Sequence, residues 1–488
     1  MDPIISAAIP LVGIFLILLL GKKSTLHSSI IFMFISVLVF VTSTYILLQN
    51  PIDNVIPFAN NLFLDDAISR LFVALVTSVL VGASFYIHNR VLVNNLTTTK
   101  LHELVLRTLF FFSISVLAIL SNHLLFMLIL LEASTLAITP LIFHEKSKES
   151  LQAAWRYLMF SLVALGLVLL GILCFAKGLH ARPGMESVSF FFTDLSGIGS
   201  VLGKQPWRDL GLVLIFFGIS TKLGLAPMYN WLPAAYDRAP QSTTVMLSAV
   251  QFNVVMVMIF RVMQYFSPLQ SPIVRYFLIT VGLVSILISL LHIVAEKHYK
   301  RLIAYASINH AGVIAIGLGL SLGKDSAYGV LIYVISNTLV KAMLFLACGN
   351  IFTIYKTEEM SGIKKLIKRM PVTGWAFLIG VFALLGFAPF GSFFGELFIM
   401  KSMIDGRYFA VFASFGFLMT LVFVAVGRTT FPMIWGNPPE ELSPAPESFF
   451  ALMPIIFFTL LLISMGIYIP AGANELLQKI ATIIGGGV

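Results

Sequence analysis

Four ionisable side chains stand inside otherwise apolar runs: Glu132 in LLEASTLAITP, Lys222 in TKLGLAP, Lys341 in NTLVKAMLFL and Glu396 in GSFFGELF. Amines and carboxylates are the groups that take up and release protons. At the centre of a membrane helix each costs about 2.5–3.5 kcal/mol on insertion scales. Four together approach about 10–14 kcal/mol, the stability of a whole domain, so they need either partners or a purpose. Burial disfavours the charged form of an amine, and a neighbouring carboxylate restores it. Displacing the carboxylate therefore loads or unloads a proton, which is the operation a relay performs. The alternative is two static ion pairs, with two positive charges balancing two negative ones.

Two of the four lie beside a repeated interruption. Lys222 precedes Gly-Leu-Ala-Pro at 224–227, and Glu396 follows Gly-Phe-Ala-Pro at 386–389. A glycine and a proline so spaced, Gly224 with Pro227 and Gly386 with Pro389, cannot continue a regular helix. Proline is frequent in membrane helices in any case, but a matched pair of breaks, each with a charge nearby, points to transport. His123, His292, His298 and His310 are weaker signals. Of these, His310 in YASINHAGV lies within an apolar segment and can relay protons, and a bond to a nearby backbone carbonyl accounts for it equally well.

The elements that must position these groups are membrane helices. Of 488 residues, 58% are hydrophobic and 11% charged, against about 25% charged in soluble domains. A spanning helix needs roughly 20 largely apolar residues. That criterion gives about fourteen spans: 4–20, 29–48, 70–88, 105–122, 124–143, 157–177, 210–227, 242–263, 274–294, 303–321, 327–353, 373–403, 408–433 and 448–468. The two breaks fall in spans seven and twelve, an odd offset, so the second copy would run the opposite way. Inverted repeats with interrupted helices are a transporter signature, with ion sites at the unwound backbone. The first run, from Ile4, has no basic segment before it and reads as a retained helix. The long connections are 49–69 and 178–209, the latter an irregular cap.

The net charge of +9 does not indicate nucleic acid, because the bases cluster in short connections. There they act as topology signals. The odd-numbered connections are the richer, as in Lys22 and Lys23, Lys146 and Lys148, EKHYKR (296–301) and KKLIKR (364–369). Both termini are therefore expected on the outer face. The two cysteines, Cys174 and Cys348, sit in separate apolar segments. With no CxxC and no Cys/His cluster, no iron–sulfur cluster or metal is expected in this chain. No phosphate-cradling loop or nucleophile elbow occurs either.

Several stretches together resemble one family. They are FLDDAISRLF (63–72), LLEASTLAITPLI with Glu132, KLGLAPMYNWLPAAYDRAP with Lys222, YKRLIAYASINHAG (299–312), NTLVKAMLFLACGNI with Lys341, and GFAPFGSFFGELFIM with Glu396. The chain resembles, from about 64 to about 433, the antiporter-like membrane subunits shared by respiratory complex I, Mrp-type cation/proton antiporters and group-4 membrane-bound [NiFe]-hydrogenases. The resemblance implies an all-α polytopic fold of about fourteen helices with discontinuous helices seven and twelve. It divides the chain into N-terminal helices (1–104), a first inverted five-helix repeat (105–263), a second (264–433), and a last helix with tail (434–488). It implies that Glu132 and Lys222 pair in a first half-channel, that Lys341 lies on a central polar axis, and that Glu396 serves a second half-channel.

Two positions depart from the family pattern. Asn253 stands where many members carry a helix-eight lysine, and Asn337 where many carry a histidine four residues before the helix-eleven lysine. Asparagine takes up no proton at neutral pH, so any path past these points would use Tyr333, Ser336 and His310 through water. The chain also ends soon after span fourteen, without a long lateral helix, and Asn253 leans toward the hydrogenase-4 and formate-hydrogenlyase branch. The expected function is a proton- or sodium-translocating subunit of a redox complex in a prokaryotic inner membrane. Its expected partners are other membrane subunits and peripheral redox subunits carrying iron–sulfur clusters and a NiFe centre. An Mrp sodium/proton antiporter subunit, a complex I subunit and a static scaffold are the alternatives.

Overall fold

The computed structural model describes residues 3–20, 24–48, 56–93, 97–180, 189–195, 206–266, 271–321, 323–436 and 443–485. The first helices are α1 (Ile5–Leu20), α2 (Thr25–Leu48), α3 (Ala67–Leu92), α4 (Thr98–Leu120), α5 (Leu124–Ile142) and α6 (Lys148–His180). Then follow α7 (Pro206–Leu223), α8 (Trp231–Arg238), α9 (Gln241–Phe266), α10 (Pro272–Ala295), α11 (Tyr299–Gly319) and α12 (Lys324–Tyr355). The last are α13 (Pro371–Leu384), α14 (Gly391–Asp405), α15 (Phe409–Trp435), α16 (Phe449–Ile467) and α17 (Ala471–Ile484). The chain is a polytopic, all-helical membrane protein. Among the described residues, 11 helices are long and apolar enough to cross a bilayer: α2–α6, α9–α12, α15 and α16.

Burial sorts these helices into a centre and a rim. The most apolar windows of α9, α11 and α12 are 100% buried, whereas that of α15 is 22% buried. Leucine, phenylalanine and valine all round α15 suit lipid or a neighbour, while α9, α11 and α12 mix in asparagine, serine and histidine that must find partners inside. Helices α6 and α7 approach at Gly171 and Gly211, where an added Cβ would stand 2.6–2.7 Å from the opposite carbonyl. Small residues let membrane helices pack this closely. The connections alternate between two ends. Bridges Phe63↔Ser121 and His123↔Phe191 tie one end, and His298↔Glu359 ties the other.

Four features correct or extend the sequence reading. Spans seven and twelve are interrupted, as the Gly-x-Ala-Pro breaks lead one to expect: α7 stops at Leu223 within 210–227 and the chain resumes as α8 from Trp231, beyond that span, while 373–403 divides into α13 and α14. The 49–69 connection contains a small antiparallel hairpin, β1 (Ile56–Phe58) with β2 (Phe63–Asp65), in register Ile56↔Asp65. Its turn places Ala59, Asn60 and Asn61 at φ of 50°, 56° and 66°, a left-handed run that asparagine tolerates. Span eight is not regular, because Met246–Gln251 forms a π-helical turn within α9. The chain beyond α16 forms α17, which places Leu477, Ile480, Ala481 and Ile484 against the bundle and fastens to α12 through Tyr328 Oη donating to Asn474 Oδ1 at 2.6 Å. Of the expected cap at 178–209, residues 181–188 and 196–205 lie outside the described residues, as do Lys22 and Lys23.

Candidate functional site

The two helix breaks share one backbone construction. Gly224 and Gly386 take φ of +74° and +66°, and each is followed by a cis Ala–Pro bond, Ala226–Pro227 and Ala388–Pro389. In the first, Leu225 N donates to Ser220 O at 3.0 Å and Met228 N to Leu225 O at 3.0 Å; in the second, Phe387 N donates to Phe382 O and Phe390 N to Phe387 O, both at 3.1 Å. The carbonyl three residues before each glycine accepts from the glycine N–H, at 3.1 Å for Thr221 and 3.3 Å for Ala383, and from a side chain as well. Trp231 Nε1 donates to Thr221 O at 2.8 Å, and Ser392 Oγ donates to Ala383 O at 2.6 Å. Interrupted helices persist at membrane depth only when their backbone groups keep such partners.

At the first break, Lys222 occupies the last turn of α7. Its Nζ donates to Glu132 Oε2 on α5 at 2.7 Å, to Thr135 Oγ1 at 3.0 Å and to Ser161 Oγ on α6 at 2.5 Å. Thr135 lies one turn after Glu132 on α5 and so faces the same amine. The Lys222 and Glu132 side chains are only 7% and 12% exposed. Glu132 Oε1 is buried with no protein partner, a free acceptor beside a pair that can trade a proton.

A polar series leads from this pair into the centre. Ser134, beside Thr135, donates to Gln251 Oε1 at 3.0 Å. Gln251 ends the π-turn of α9, a distortion often found at functional sites, and Phe252 and Asn253 follow it. Asn253 Nδ2 donates to Ala249 O at 2.6 Å and to Thr338 Oγ1 of α12 at 2.8 Å, leaving Oδ1 buried without a partner. Lys341, one turn beyond Thr338, is 1% exposed and rests its ammonium 4.4 Å from the centre of the Phe252 ring. Among the described residues no carboxylate pairs with it, so the aromatic face is its compensation.

At the second break the series resumes. Tyr333 Oη and His310 Nδ1 are 2.5 Å apart. Glu396 is 7% exposed, and its carboxylate lies against Gly386, where an added Cβ would stand 2.8 Å from Glu396 Cδ and Oε1. Glu396 Oε1, His310 Nε2, Ser336 Oγ and both amide atoms of Asn337 are buried with no protein partner. Buried polar atoms in that state are the ones ordered water satisfies.

The structure thus joins Glu132 to Lys222, Asn253 to α12, and His310 to Tyr333. It leaves Lys341 and Glu396 without an ion-pair partner among the described residues, so the reading of two static pairs fails for the second half. The three other histidines singled out in the sequence have ordinary partners: His292 Nε2 with Tyr229 Oη at 3.0 Å, His298 Nδ1 with Glu296 at 3.3 Å, and His123 Nδ1 accepting from Phe126 N at 3.3 Å.

Sequence reasoning missed Ser134, Thr135, Ser161, Gln251 and Thr338; Thr135 and Thr338 could have been found as polar residues one turn from Glu132 and Lys341, whereas Ser161 and Gln251 carried no such signal. It also missed Arg261, another ionisable group inside an expected span. Arg261 is 0% exposed and grips Asp66, in FLDDAISRLF, through two bonds of 2.6 and 2.9 Å and Ser69 Oγ through one of 2.8 Å. The neighbouring Asp65 receives Arg70 in the same two-pronged way, at 2.6 and 2.7 Å. Among the described residues no group of three or more His, Cys, Asp or Glu is placed to hold a metal.

The chain and its fold have known counterparts. Residues 121–422 match the family model for the membrane part of NADH:quinone oxidoreductase and Mrp antiporters, and the chain belongs to that family. It is 28% identical over 376 residues to a hydrogenase-4 component F homolog of Methylacidiphilum infernorum, covering 75% of this chain and 76% of the relative. It is 25% identical over 371 residues to an Na(+)/H(+) antiporter subunit of Bacillus subtilis, covering 74% and 73%. Its fold superposes with a TM-score of 0.84 on a chain of the membrane-bound sulfane sulfur reductase, an archaeal respiratory membrane complex, at 20% identity and over 99% and 97% of the two chains.

Proposed function

We propose that this chain is the proton-translocating membrane subunit of a multi-subunit redox complex of the group-4 hydrogenase type, set in a prokaryotic inner membrane with both termini on the outer face. The observation that carries the proposal is the buried contact of Lys222 with Glu132 at 2.7 Å, built at the end of a cut helix and continued by polar groups toward Lys341 and Glu396. In this reading Glu132 and Lys222 hold the proton of one half-path, Lys341 that of the centre, and Glu396 that of the other half. The segments 105–263 and 264–433 act as inverted repeats, which the shared backbone of the two breaks supports. His310 and Tyr333 pass protons, while Asn253, Ser336 and Asn337 order the water between them. Peripheral partners hold the iron–sulfur clusters and the NiFe centre, and their chemistry supplies the about 2.3 kcal/mol needed to move one charge against 100 mV.

The second reading, a subunit of an Mrp-type sodium/proton antiporter, is favoured by the Bacillus relative, which aligns over nearly the same share of the chain as the hydrogenase relative. Metal analysis separates the two. Nickel with abundant iron in the complex co-purified from native membranes supports the hydrogenase assignment; iron without nickel supports a complex-I-type oxidoreductase; neither metal supports the antiporter. The relay itself is tested by Lys222→Ala and Glu132→Ala. Both are expected to abolish proton translocation in vesicles while the complex still assembles, because a carboxyl group left alone becomes neutral by taking up a proton. Unchanged pumping in both would refute it.

A further inference from the structure

A cavity of about 580 Å³ opens among α6, α8 and α11 on the Lys- and Arg-rich end of the bundle. Its charged walls are Arg156 of α6, Arg238 of α8 and Arg301 of α11, with the carboxylates Glu149 and Asp237. Asp237 pairs with Arg238 at 3.3 Å, and Arg301 uses its Nε on Glu296 at 3.3 Å. Among the described residues Arg156 has no ion-pair partner. With Asp237 on Arg238 and Glu296 on Arg301, Arg156 is the guanidinium of the lining whose donors no carboxylate takes up among the described residues.

The place of the cavity identifies what fills it. On α6, Leu151, Trp155, Met159 and Leu162 form an outward stripe exposed by 53%, 62%, 45% and 53%. Their spacing puts them on one helical face, and an exposed apolar face on a spanning helix belongs against acyl chains. Trp155 adjoins Arg156 and marks the level where tryptophans settle among lipid headgroups. The guanidinium of Arg156, next to an acyl-facing stripe, therefore sits where a lipid phosphate lies. Arginine binds phosphate through two parallel bonds. We propose that this cavity is a binding site for one anionic phospholipid, whose phosphate is held by Arg156 with Arg238 and Arg301 beside it. Phe160 and Tyr229 form part of its wall. Phe160 directly precedes Ser161, the hydroxyl that receives Lys222, and Tyr229 follows the α7 break, so the lipid packs against the scaffold of the ion pair.

The test uses the complex purified from its native membrane in mild detergent. Quantitative lipid mass spectrometry is expected to find phosphatidylglycerol in fixed proportion to this chain. Arg156→Gln with Arg301→Gln is expected to lower it about tenfold or more, as loss of about 1.4 kcal/mol or more requires. Gln152→Trp, which obstructs the cavity from the exposed side of α6 with every arginine in place, is expected to lower it similarly. Arg407→Gln, remote from the cavity, keeps the wild-type amount. After delipidation, phosphatidylglycerol vesicles are expected to raise the thermal unfolding midpoint of the wild type and not of the Arg156/Arg301 variant. Retention unchanged in both cavity variants overturns the proposal. So does equal protection by phosphatidylethanolamine, phosphatidylcholine or inorganic phosphate, or a neighbouring subunit's side chains filling the cavity in the assembled complex.

Discussion

Arg261 and Asp66, nearly two hundred residues apart in sequence, meet in two bonds of 2.6 and 2.9 Å with the arginine wholly buried. Asp66 also caps α3 by accepting from Ser69 N at 2.9 Å. Burial by itself would raise the Asp66 carboxyl, but the Arg261 guanidinium beside it, with the Ser69 bonds, holds it below its ordinary 3.8. A depressed carboxyl contributes stability that is complete above its unfolded value and is lost as pH falls through the folded one. The contribution is therefore whole at neutral pH and disappears only in strong acid. Arg261→Met is expected to destabilise the protein by about 3–5 kcal/mol, the usual cost of orphaning one member of a buried pair. Asp66→Asn combined with Arg261→Met should recover much of that loss. Thermal unfolding in detergent at pH 7 reads both, and additive losses would rule out the coupling.

The glycines of the two breaks are expected to be irreplaceable for different reasons. Both hold positive φ, which costs of order 1–3 kcal/mol for other residues. A side chain at Gly224 meets Leu232, a neighbour that can yield, whereas one at Gly386 meets the Glu396 carboxylate. Gly386→Ala should therefore lower translocation more than Gly224→Ala at matched assembly. Gly416→Ala, with nothing within 4 Å of the new methyl, is the control and should be silent. Equal activity of Gly386→Ala and Gly416→Ala would contradict the close packing of Glu396.

Asn337 offers a test that separates stability from transport. Both its amide atoms are buried without a protein partner, so replacing the amide by an apolar group of similar size removes a polar burden. Asn337→Leu is expected to leave the unfolding midpoint unchanged or raised. If the amide orders water on the ion path, the same variant should cut proton translocation severalfold. A variant both stable and fully active would take Asn337 off the path.

The hydroxyls around Lys222 should act as a graded set. Ser161→Ala and Thr135→Val each remove one acceptor from the ammonium and leave the carboxylate in place. Bonds to charged groups are worth about 1.5–3 kcal/mol, so each change should slow translocation by an intermediate amount, well short of Glu132→Ala. Initial rates of vesicle acidification would rank them. A loss as deep as that of Glu132→Ala would make the hydroxyl an obligatory proton carrier in its own right.

Much of this was legible in the sequence. Eleven of the fourteen expected spans stand, among the described residues, as helices long and apolar enough to cross a bilayer, because apolar length is read from composition. The two Gly-x-Ala-Pro breaks and the charges Glu132, Lys222, Lys341 and Glu396 stood out because each violates its surroundings. Arg261 did not stand out: it lies near the end of an apolar run, where an arginine reads as a topology signal until its distant partner is seen. The π-turn at Met246–Gln251 left no mark either, since the extra residue per turn changes no residue type.

The sequence by itself determined that this is a membrane protein, where its helices break, and which residues carry charge into the bilayer, because these are costs set residue by residue. Only the tertiary structure decided the pairings. Glu132 takes Lys222 while Lys341 settles on the Phe252 ring and Glu396 on Gly386. A contact between helices far apart in the chain depends on packing and helix rotation, and no local pattern encodes these.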